Sequence, residues 1–104
     1  MTQFDVLPNP VPQTRGLYPF VVILQADTVP TNDELVLAFL SPRQRYPATP
    51  GRLNPVVDVG GEPHVLLTQS ITNLRKAHLR RPVGTVASDR DKITAALDFL
   101  FFGF

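Results

Sequence analysis

The chain contains no cysteine and no tryptophan, only one methionine, and no long apolar run. Without cysteine there are no disulfides, no thiolate chemistry and no Cys-based metal sites, a composition suited to a reducing cytosol. No window approaches the roughly 18 uninterrupted apolar residues of a membrane span. Met1 to Val6 carries no basic segment leading into an apolar core, so no secretory leader is expected. These features predict a soluble, cytoplasmic protein with no membrane partner. Charge is scarce as well: 10 Lys and Arg against 9 Asp and Glu leave a formal net charge of +1, too little to drive the chain onto nucleic acid. His64 and His78 are the only histidines and no acid stands at ligand spacing, so no metal is expected. Gly60 and Gly61 are not followed by Lys-Ser or Lys-Thr, which excludes a phosphate loop, and no cofactor is expected. Asp58, Thr68 and Ser70 are too scattered to pair a nucleophile with a base, so no catalytic residue is assigned.

What is present suffices for one core. At 104 residues and 43% hydrophobic, residues 1–104 are expected to form one domain. Eleven prolines, about twice the usual share of roughly 5%, cut the chain into short pieces and favour strands over long helices. Gln3 to Leu7 alternates, with Phe4 and Val6 on one side, before Pro8, Pro10 and Pro12 end any ladder. Tyr18 to Leu24 is rich in aromatic and β-branched residues and predicts a second strand. Thr31 to Leu40 has a helix-like start at Asn32, Asp33 and Glu34 followed by a six-residue apolar run; its length between Pro30 and Pro42 favours a buried strand. Pro42 to Pro55 predicts a surface loop. Pro55 to Val59 and Pro63 to Thr68, flanking Gly60-Gly61, predict a tight hairpin. One short strand near Leu74 to Leu79 and a turn at Pro82 to Gly84 follow.

The last segment predicts the only helix, from about Asp89 to Phe101, with Ser88 as its cap and Asp89 and Asp91 at the positive end of its dipole. Ile93, Leu97, Leu100 and Phe104 recur at spacings of four, three and four, forming one apolar stripe. Asp98 and Phe102, four apart, lie on another face. The chain end therefore has more aromatic surface than one stripe can hide. Two readings remain open. The tail packs back into its own core or a dimer interface, or it anchors a partner through the aromatic side chains that commonly supply binding hot spots. Gly103 suits both, since it ends the helix and frees Phe104 to turn.

Several segments together resemble a known family. Gln3-Phe4-Asp5-Val6, Leu24-Gln25-Ala26-Asp27, Pro55-Val56-Val57-Asp58-Val59 and the tail from Ile93 to Phe104 are similar, in order and spacing, to CcdB, the toxin of a toxin–antitoxin pair. The resemblance implies a mainly β fold with one C-terminal α-helix: an SH3-like barrel of the CcdB/MazF type, with an antiparallel main sheet, a small satellite sheet and a homodimeric assembly. It implies a non-enzymatic toxin that binds the DNA gyrase A subunit and traps the gyrase–DNA cleavage complex. Asp98, Phe102, Gly103 and Phe104 would contact gyrase, with Phe102 as stacking anchor and Asp98 at the rim. Ile93, Leu97 and Leu100 would lie at the dimer interface. A CcdA-like antitoxin would neutralise the toxin, with Arg75, Lys76 and Arg80 as candidate contacts. Together the pair would repress its own promoter, so DNA is met only through the antitoxin complex. In the family tryptophan and isoleucine usually stand where Phe102 and Phe104 do, and proline where Arg75 does. Phenylalanine has less area than tryptophan and no indole N–H.

Two alternatives carry different chemistry. A MazF-like endoribonuclease shares the barrel and would need a general base beside a cation, for which Arg15, Arg43, Arg45 and Arg52 with Asp27 or Glu34 are the only candidates. A degenerate CcdB homologue would dimerise and bind antitoxin without toxicity.

Overall fold

A computed structural model describes all 104 residues. Seven strands, β1 (Asp5–Pro8), β2 (Phe20–Ile23), β3 (Glu34–Pro42), β4 (Val56–Val59), β5 (Glu62–Leu66), β6 (Thr72–Arg75) and β7 (Gly84–Thr85), precede one helix, α1 (Arg90–Phe102). All pairings are antiparallel, in the order β4-β5-β3-β2-β1-β7, with β6 joined to β3. The sheet curls into a nearly closed barrel, as the resemblance implies.

β3 is the organising strand, and it settles the ambiguity at Thr31 to Leu40 in favour of strand. One edge pairs with β2, Leu37 opposite Ile23 and Leu40 opposite Phe20. The other edge is shared. β5 takes Leu40 to Pro42 and β6 takes Glu34 to Leu37. Between Leu66 and Thr72 the chain makes a 3-10 turn, Thr68–Ser70, so β5 and β6 run in succession along the same edge. The main and satellite sheets of the resemblance are thus one hydrogen-bonded sheet that branches at β3.

Alternation along the strands buries both faces. Val6, Val22, Ala38, Leu40, Val57 and Leu66 point into the barrel with Phe4, Val86 and Ile93. Leu7, Val21, Ile23, Leu35 and Leu37 form a second cluster on the opposite face, covered in part by Phe39, Leu74 and Leu79. The hairpin β4–β5 turns at Gly60 and Gly61, whose φ values of 59° and 91° only glycine adopts without strain. Pro63 lies beyond the last β3–β5 pair, His64 with Pro42, so its missing N–H interrupts no ladder. The proline-rich loop after β1 is held by buried Asn9, whose Nδ2 donates to Tyr18 O (2.7 Å) and Thr14 Oγ1 (3.0 Å) while its Oδ1 accepts from Val11 N–H (2.9 Å).

Three expectations are corrected. The strand placed at Leu74 to Leu79 lies earlier, at Thr72–Arg75, and gives way to a 3-10 turn over Lys76–His78. Pro82 to Gly84 is no turn: Val83 N–H donates to Val6 O (2.8 Å), and Gly84 and Thr85 pair with Val6 and Asp5 as β7. Ser88 caps nothing, because Ala87–Asp89 forms a 3-10 turn that feeds the helix, with Arg90 N–H donating to Ala87 O. No helix is long and apolar enough to cross a membrane.

Candidate functional site

Three sets of contacts fix α1 on the barrel. Ile93 and Ala96 are wholly buried, Ile93 in the barrel core, and full burial of such a side chain stabilises by about 1.5–3 kcal/mol. At the start of the helix, Asp89 Oδ2 accepts the main-chain N–H of Asp58 (2.9 Å) and Lys92 Nζ donates to Val56 O (3.2 Å). Both groups lie on the free edge of β4, so the helix start closes that edge. Phe4 completes the support. Its φ of 69° is unusual for a bulky residue, and the conformation lets its N–H reach Ile23 O (2.7 Å) while its C=O accepts from Val86 N–H (2.9 Å) and Thr85 Oγ1 (3.3 Å). One residue therefore ties β2 to the segment that delivers the helix.

The far end of the helix is uncovered. Phe101 is 64% exposed, Phe102 68% and Phe104 76%, while Phe99 is partly shielded by the Arg52 guanidinium 4.7 Å above its ring. Arg52 is carried by a loop pinned at Asn54, whose Nδ2 donates to Leu66 O (3.0 Å) and Gln69 Oε1 (2.7 Å). Gly103 takes a left-handed φ of 79° and donates its N–H to Phe99 O (3.0 Å), ending the helix. Phe104 is turned back so that its ring centroid lies 6.5 Å from that of Phe102. The turn removes Phe104 from the stripe of Ile93, Leu97 and Leu100, where the helical spacing had placed it.

The structure brings Phe102 and Phe104 together, with Asp98 exposed one turn before Phe102. Leu97 and Leu100 are half-buried. Ile93 is wholly buried within the single chain, so Leu97 and Leu100 are the accessible part of the stripe. Arg75, Lys76 and Arg80 are exposed on and after β6, distant in sequence from the helix and on another part of the sheet. Arg75 stands where the family has proline, and the strand forms regardless, with Arg75 opposite Glu34.

The residues considered for RNA cleavage are dispersed. Arg15 and Arg45 donate to carbonyls of the loop at Asn9 to Gly16, Arg52 covers Phe99, Asp27 accepts Gln3 N–H, and Glu34 accepts from Asn73. The one salt bridge, Lys92 with Asp89, involves none of them. His64 is buried on β5, its ring edge-on to Phe20 at 5.6 Å and Nδ1 3.1 Å from Glu62 O, whereas His78 is exposed. No group of three or more His, Asp or Glu side chains is arranged to hold a metal ion.

Sequence reasoning missed Asp89, Lys92 and Phe4 as supports of the site. Asp89 and Lys92, three apart at a helix start, look like an ordinary surface pair, and only the barrel's closure reveals their target.

Barrel and helix end define a small antiparallel β protein that presents exposed aromatic rings at the end of a helix whose start is fixed on the barrel. A family model described as CcdB protein matches residues 3–103 of the 104. The chain belongs to the CcdB family, toxins of the CcdA/CcdB toxin–antitoxin system. No curated protein matches it.

Proposed function

We propose that the protein poisons DNA gyrase by binding the gyrase A subunit through Asp98, Phe102, Gly103 and Phe104, and that it breaks no bond itself. The observation carrying this reading is the contrast along α1 and its end: Ile93 and Ala96 are wholly buried, while Phe102 in the last turn and Phe104 just beyond it are mostly exposed. Uncovered rings of this size forfeit about 1.5–3 kcal/mol each unless a partner covers them. The start of the helix is fixed on the barrel, so less ordering is lost when the rings at its end meet a partner.

A homodimer joined through the half-buried Leu97 and Leu100 would present two tails to a two-fold target, each engagement favouring the other. A CcdA-like antitoxin would neutralise the toxin and, with it, repress the shared promoter in the cytoplasm. Purified protein incubated with gyrase and supercoiled plasmid should yield gyrase-dependent double-strand breaks. Deleting residues 102–104 should abolish them and leave the dimer intact. RNA cleavage by the protein without gyrase would contradict the reading and support a nuclease, and absence of any effect on gyrase would indicate a degenerate homologue.

A further inference from the structure

Phe99 and Phe102, three apart, are neighbours on one side of α1, and Ala95 and Lys92 continue that side toward the start of the helix. The Arg52 guanidinium lies 4.7 Å from the centroid of the Phe99 ring, so a cation borders the uncovered rings. Its position is set by the loop that carries it. Gly51 N–H donates to Asn54 O (3.1 Å), Asn54 is held by Leu66 O and Gln69 Oε1, and Pro50 and Pro55 restrict the backbone on either side.

Stacking occupies the face of a guanidinium and leaves its N–H groups, which lie in the plane, free to donate. Arg15 and Arg45 spend theirs on loop carbonyls, and Lys92 is committed to Val56 O and Asp89. Arg52 donates to no acceptor, and Asp98, one residue before Phe99, forms no salt bridge with it. Beside Arg52, between its loop and α1, is an open groove of about 380 Å³ with apolar walls at Pro50, Pro55, Val56 and Ala95 and no acidic residue. A fixed, unpaired guanidinium beside an apolar-walled groove matches an aliphatic side chain that ends in a carboxylate.

We propose that Arg52 is a further contact and a specificity-determining residue of the site at Phe102 and Phe104, donating a bidentate pair of hydrogen bonds to an Asp or Glu carboxylate of the protein target. The inference rests on the gyrase reading for the identity of that target. Docking over Phe102 removes water from Arg52 as well, which penalises any target that leaves the charge unpaired. The cation stands singly beside aromatic rings rather than in a row that could track a phosphate backbone, so the acceptor is a protein carboxylate and not DNA.

The test is titration calorimetry of the full chain with the gyrase A dimerisation region, free of DNA, at low and at high salt. Wild type should bind, more weakly at high salt. Arg52→Gln should weaken binding about tenfold and flatten the salt dependence. Arg52→Glu should weaken it further, and Arg52→Lys should recover part of the loss, since an ammonium keeps the charge without the planar fork. Arg43→Gln, which removes the same charge from the turn after β3, should bind as wild type does. Melting temperature and sedimentation should show Arg52→Gln folded and unchanged in assembly. Undiminished binding by Arg52→Gln, while Phe102→Ala loses affinity, would overturn this inference and leave the gyrase reading standing, whereas failure of wild type to bind would overturn both. An equal loss in Arg43→Gln, or a loss in Arg52→Gln seen only when DNA is added, would also overturn it. So would dissociation of Arg52→Gln into monomers, which would assign the groove to a second copy.

Discussion

Asp58 donates its main-chain N–H to the side chain of Asp89 across 2.9 Å, joining the free edge of β4 to the turn from which the helix starts. Lys92 reinforces the junction, donating to Val56 O on the same edge and lying 3.7 Å from Asp89 Oδ1. Barrel closure and helix placement therefore share one contact.

Asp89→Ala removes that acceptor and leaves the β4 edge open. A loss of about 1–2 kcal/mol is expected, within the range for a hydrogen bond to a charged group, less some repair by water at the edge. Urea denaturation measures it. Asp91→Ala, a first-turn change away from the junction, should cost less than about 0.5 kcal/mol.

Ile93→Ala should destabilise the fold by about 2–5 kcal/mol, because the side chain is wholly enclosed in the barrel core. Target binding, measured at a temperature where the variant remains folded, should be retained. Loss of the dimer without loss of stability would show that Ile93 faces a second copy after all.

Gly103→Ala introduces a Cβ into open space, since nothing lies within 4 Å of it, yet the φ of 79° remains unfavourable by roughly 1–2 kcal/mol. The strain falls on the end of the helix, which frays rather than unfolding the barrel. Thermal denaturation should therefore change little, while affinity for the target falls as Phe104 loses its position beside Phe102.

Part of this architecture was legible from the sequence. The hairpin at Gly60-Gly61 was, because two positive φ angles in succession favour glycine, and so was the strand between Pro30 and Pro42, although β3 starts at Glu34 and takes in Pro42. The helix was placed to within a residue by its apolar spacing. The cap was not. Ser88 satisfies the local pattern, but Ala87–Asp89 tightens into a 3-10 turn and the carboxylate of Asp89 goes to another strand. β7 was missed because two residues leave no pattern. The aromatic tail was legible as surplus, although spacing placed Phe104 on the buried stripe; the left-handed Gly103 turns it away.

The central claim is that Phe102 is the anchor for gyrase, and titration calorimetry of the gyrase A dimerisation region with wild type and Phe102→Ala tests it most directly. A ring 68% exposed contributes little to folding, so Phe102→Ala should keep wild-type stability. Its affinity should fall about 30-fold or more, as for a hot spot of about 2 kcal/mol or more. Undiminished gyrase binding by Phe102→Ala would contradict the account.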